Sequence, residues 1–110
     1  MAIDPALSAA HTDESLAAMD LPVLTLGLGA AGGVPEGIDA APVAARIPGA
    51  RHEQIPGAVH FSALGACRTL GRIMIGLLED EPICADPGRP RDEVQADILS
   101  TVQEFLADLP

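Results

Sequence analysis

The run Leu21-Pro22-Val23-Leu24-Thr25-Leu26-Gly27-Leu28 is apolar without alternation. A strand with one wet face alternates, so this run reads as a central parallel strand covered by helices on both sides. Pro22 falls at its first positions, where a missing N–H is tolerated. Residues 51–55 (Arg-His-Glu-Gln-Ile) read as a brief polar strand near a sheet edge. Val94, Ile98, Leu99, Val102, Phe105, Leu106 and Leu109 recur at helical spacing and predict a helix over 92–109, capped by Asp92. Thr12 starts a short helix, with Asp13 and Glu14 in its first turn. A second helix is expected over 38–47, with Pro42 in its first turn. A third is expected over 61–79, weakened by Gly65, Gly71 and Gly76. Residues 29–37 and 81–91 read as loops.

The order is helix, strand, helix, strand, helix, helix. Strand–helix–strand with a continuous apolar first strand implies a βαβ unit and a parallel sheet, hence an α/β chain. Two strands are too few for a parallel sheet buried on both faces. The sequence asks for more strands, from an upstream portion or from a partner.

The length of 110 residues allows one domain at most, spanning 1–110, with a modest core. That core must rest on Ala, Leu, Ile and Val, because Phe61 and Phe105 are the only aromatics. Eleven glycines and ten prolines predict many turns. The net charge is −10 and all positive charges are arginines. That balance argues against nucleic acid or an anionic membrane surface as partners. No 18-residue apolar run predicts a membrane span, and residues 1–10 do not read as a signal peptide.

The segment Ile55-Pro56-Gly57-Ala58-Val59-His60-Phe61 carries the candidate chemistry. A strand running into a Pro-Gly turn that presents one histidine is how a serine hydrolase of the α/β-hydrolase type delivers its catalytic base. Such a histidine needs a nucleophile to deprotonate and a carboxylate to hold its tautomer. No G-x-S-x-G elbow is present. Ser8, Ser15, Ser62 and Ser100 lie outside any glycine elbow and read as caps or surface hydroxyls. His11 and His52 read as surface histidines. A metal site from His52, His60 and Asp39 or Glu53 lacks the tight spacing of known ligand sets. Gly27-x-Gly29 with Gly32 and Gly33 lacks the acid that a dinucleotide site needs. No cofactor is expected. Cys67 and Cys84 fit no zinc pattern; they read either as small buried hydrophobes or as one disulfide.

Several blocks follow one another in a familiar order: Asp4-Pro5-Ala6, Thr12 to Leu16, Pro22-Val23-Leu24, Ile47-Pro48-Gly49-Ala50, Gly57-Ala58-Val59-His60-Phe61, Leu64-Gly65-Ala66-Cys67 and Ile83-Cys84-Ala85-Asp86-Pro87. From about Ile3 to Phe105 the chain resembles the C-terminal third of the predicted dienelactone-hydrolase family of α/β hydrolases. More loosely, it is similar to bacterial relatives of platelet-activating-factor acetylhydrolase. The resemblance implies a partial α/β-hydrolase fold: the C-terminal βαβ unit of a doubly wound parallel sheet, plus C-terminal helices. It implies an ester or lactone substrate for the full-length parent. His60 matches the family histidine. Cys67 and Cys84 match its paired cysteines, which supports the disulfide; a paired state would suit a periplasmic or secreted parent, and an unpaired one a cytoplasmic parent.

The family's nucleophilic serine lies upstream of everything present here. Its acid follows the strand equivalent to Pro22–Leu28, where this chain has Ala31. The nearest acids, Glu36 and Asp39, are the possible substitutes. The resemblance also implies a strand leading into Asp4-Pro5, so that the chain starts in mid-fold. The expectation is a hydrolase fragment that supplies the histidine loop and is inactive alone. It would be completed by an N-terminal portion or by a homo-oligomer. The alternative is a small acidic, non-catalytic interaction module that pairs with a partner or with itself.

Overall fold

A computed structural model describes residues 1–78 and 83–110. Three short strands form one parallel sheet in the order β1 (Ala2–Ile3), β2 (Leu24–Leu28), β3 (Arg51–Ile55). β2 is central, and all five of its residues are buried, as its unbroken apolar run predicts. β3 is an edge strand, and only Ile55 in it is fully buried. β1 is a third strand beyond the two read from periodicity. Two residues are too few to show a period.

The first crossover carries α1 (Asp13–Ala17) and the second carries α2 (Ala41–Ala44). The Thr12 hydroxyl accepts the Ser15 N–H and caps α1. The helix expected over 38–47 is shorter: a 3-10 turn over Glu36–Ile38 precedes the single turn of α2. Leu16, Val43 and Ile47 form the core on this face of the sheet.

The other face is covered by α4 (Arg91–Ala107). Leu28, Ile55, Ala58 and Val94 make its core, with Ile3 and Ile98 against them. Asp92 sits in the first turn rather than at the cap, which is Pro90. Val94 is fully buried, but Leu99 and Leu106 of the same stripe are more than half exposed. The stripe is broader than a three-strand sheet can cover.

Between β3 and α4 lie a 3-10 turn over His60–Ala63 and α3 (Thr69–Leu78). The helix expected over 61–79 is thus broken, and α3 starts at Thr69. Its expected end at Glu79, and the first two residues of the expected 81–91 loop, lie outside the described residues. No residue of α3 is buried.

Candidate functional site

The carboxyl ends of all three strands meet in one place, where open α/β sheets bind ligands. Asp4 follows β1, Gly29 follows β2, and the turn to His60 follows β3. Asp4 N–H donates to Leu26 O at 3.0 Å, carrying the parallel ladder one residue past β1. The residue then bends to a left-handed φ of 39°. Asp is among the residues that enter this region more readily.

The Asp4 carboxylate is buried, with a side-chain exposure of 1%. Both oxygens are used. Oδ1 accepts the Leu28 N–H at 2.8 Å, and Oδ2 lies 3.0 Å from His60 Nδ1. A carboxylate only accepts, so Nδ1 carries the proton and donates it to Asp4. In the neutral ring the lone pair is then on Nε2. The imidazole is 43% exposed, and its edge-on contact with Phe61, centroids 5.2 Å apart, further fixes the ring plane.

The turn that carries His60 is clamped from the α4 side. Gly57 has φ 74°, and a Cβ there would strike the aliphatic part of Arg89 at 2.7 Å. The Arg89 N–H donates to Gly57 O at 3.0 Å. Its guanidinium donates to Asp97 at 2.7 Å, a bond that raises the Arg89 pKa above the ordinary arginine value. Arg51 is raised in the same way by its bond to Glu53. The Ser62 hydroxyl accepts the Val59 N–H at 3.0 Å, holding the last residue before His60.

His60 opens onto a cleft of about 390 Å³ walled by Leu28, Val34, Pro35, Ile38, Ala58 and Val59. A second cavity of about 400 Å³ lies on the α1–α2 side, among Leu16, Val23, Val43 and Ile47, away from His60.

The substitute acids read from the sequence sit elsewhere. Asp39 accepts the Ala41 N–H at 3.0 Å, two residues ahead of the start of α2. Glu36 is exposed in the 3-10 turn beside the cleft. The carboxylate on Nδ1 is Asp4, of the Asp4-Pro5-Ala6 block. Its signal was an acid directly after a short apolar segment. That placement sends a side chain to the carboxyl edge of the sheet.

Ala31 is exposed in the loop after β2. Cys67 and Cys84 are joined by a disulfide, with Cα atoms 5.7 Å apart. Ser15 and Ser100 bond within their own helical turns, and the Ser8 side chain lies outside the described structure. Half-buried His52, read as a surface residue, bonds Thr25 at 2.8 Å and Gln54 at 3.1 Å on the α2 face. Among the described residues no group of three or more His, Cys, Asp or Glu is placed to hold a metal ion. None of their helices is long and apolar enough to cross a membrane.

Comparison with protein-family models, curated proteins and solved structures found no match.

Proposed function

We propose that this chain is the histidine-bearing C-terminal part of an α/β hydrolase that cleaves esters or lactones. The observation that carries the reading is the pairing of the buried Asp4 carboxylate with the part-exposed His60 imidazole at the carboxyl edge of the sheet. Asp4 fixes the tautomer whose free Nε2 can accept a proton. A serine supplied by the rest of the fold loses its proton to Nε2 as its oxygen attacks the carbonyl carbon. Asp4 stabilises the imidazolium, which then protonates the departing alkoxide. Water repeats the sequence on the acyl-enzyme and frees the acid and the serine.

The helix α3 supports the need for a further polypeptide. Leu70, Ile73, Met74, Leu77 and Leu78 are all more than half exposed. Arg68 and Arg72 beside them make no ion pair among the described residues, whereas Arg46, Arg51, Arg89 and Arg91 do. The occupant proposed for this face is the polypeptide that brings the nucleophile and further strands. It should carry carboxylates opposite the two arginines. The same face also favours the second reading, a non-catalytic module; the two part on whether a nucleophile comes with the partner.

The test is fluorophosphonate labelling of material recovered from its own cells through a C-terminal tag on this chain. A labelled serine on the same or an associated polypeptide is expected. Its labelling rate should fall by at least about 10³-fold in His60→Ala. Absence of any labelled serine leaves the non-catalytic reading.

A further inference from the structure

We propose that the cleft beside His60 receives an uncharged aliphatic acyl group, so that the ester or lactone is cleaved from a neutral acyl chain. This rests on the hydrolase reading and names its substrate class.

The walls carry the argument. Leu28, Val34, Ile38, Ala58 and Val59 offer hydrocarbon, and Gly29, Ala30 and Gly33 add little bulk. Among the described residues, no Arg, Lys, Asp or Glu lines the cleft. The chain has no lysine to lend. Four of its arginines are held in ion pairs elsewhere; of the other two, Arg68 directly precedes α3 and Arg72 lies within it. The imidazole is committed to Asp4 through Nδ1.

Two backbone donors at the loop wall are also taken. Gly29 N–H donates to Ile55 O, and Gly33 N–H donates to Ala30 O. A carboxylate on the acyl chain would lose its water and find no arginine or lysine among the lining side chains, which is strongly unfavourable. A methylene chain loses only its contact with water. Each added carbon should tighten binding by about fourfold, the transfer free energy of one buried CH₂, until the 390 Å³ is filled.

The test uses the full chain and titration followed by methyl and amide NMR. The probes are ethyl acetate, ethyl butanoate, ethyl hexanoate and monoethyl adipate. The last resembles ethyl hexanoate but ends in a carboxylate. The expected result is saturable shifts at Val34, Ile38, Ala58 and Val59 that tighten along the neutral series. Ethyl hexanoate should bind at least about tenfold more tightly than monoethyl adipate. Ile38→Arg, which puts a cation on the wall, should reverse that preference.

Equal or tighter binding of monoethyl adipate by the unaltered chain overturns the proposal. So does the lack of saturable shifts with every probe. These outcomes are separate from serine labelling, which can succeed or fail whatever the cleft prefers. A failed labelling sinks the hydrolase reading, and a failed titration sinks only the substrate class.

Discussion

The carboxyl edge of the sheet and the helix α3 are built on opposite terms. At the edge, Asp4 gives both carboxylate oxygens to partners inside the chain. The turn bearing His60 is pinned by Arg89 and Ser62. In α3, ten residues form a helix and none is buried. A helix of that length is marginal in water without an apolar partner. The disulfide at Cys67 ties the chain just before α3 to the approach to α4, but it covers none of the exposed leucines. The edge is therefore held by bonds within this chain, whereas the chain buries no residue of α3.

The largest effect should come from Asp4→Asn. Asparagine can still accept the Leu28 N–H, so the fold should survive. Its amide would donate to His60 Nδ1 and move the ring proton to Nε2, leaving Nε2 no lone pair with which to accept a proton. Under the proposed hydrolase reading, serine reactivity should fall about 10⁴-fold, the scale of the same exchange in a serine protease. Nitrogen NMR of the imidazole should show the tautomer switch. An unchanged tautomer would mean that Asp4 does not orient the ring.

Next comes the core beneath the site. Leu26 has no exposed surface, and Leu26→Ala should cost about 3 kcal/mol in chemical denaturation. A loss under 1 kcal/mol would mean that the sheet is not the stable part of the molecule.

Gly57→Ala should cost about 1–2 kcal/mol, because φ is 74° there and a Cβ meets Arg89. The shift should be felt at His60, three residues on. Hydrogen exchange would report it as lost protection at the Arg89 amide, which bonds Gly57 O. If Gly57→Ala is neutral, the clamp between this turn and Arg89 does not hold the loop.

Much of the edge was legible in the sequence, for reasons that differ residue by residue. β2 announced itself because a strand buried on both faces has no polar positions to confuse the pattern. His60 stood out because a Pro-Gly turn after a strand aims the following residues at one rim. Asp4 is not legible in this way, because its pairing with His60 spans 56 residues. No local period encodes a contact of that kind. The resemblance also pointed to the loop after β2, whereas the carboxylate comes from the end of β1. The stripe on α4 was real, but periodicity reports what a helix could bury rather than what lies beneath it. Leu99 and Leu106 stay exposed for that reason.

The smallest effect sharpens the contrast most. Leu77 is 79% exposed, so Leu77→Ala removes almost no burial in the chain by itself. Alanine also has the better helix propensity. Stability of the isolated chain should change by less than about 0.5 kcal/mol, against about 3 kcal/mol for Leu26→Ala. In material recovered from cells the order should change. If a polypeptide covers α3, Leu77 becomes a buried contact there, and its truncation should weaken that association by about 2 kcal/mol or more. A chain that is destabilised alone by Leu77→Ala would show that α3 packs against its own fold. A chain unaffected both alone and in the recovered material would show that α3 has no partner, and the difference between the two regions would then be one of surface rather than of assembly.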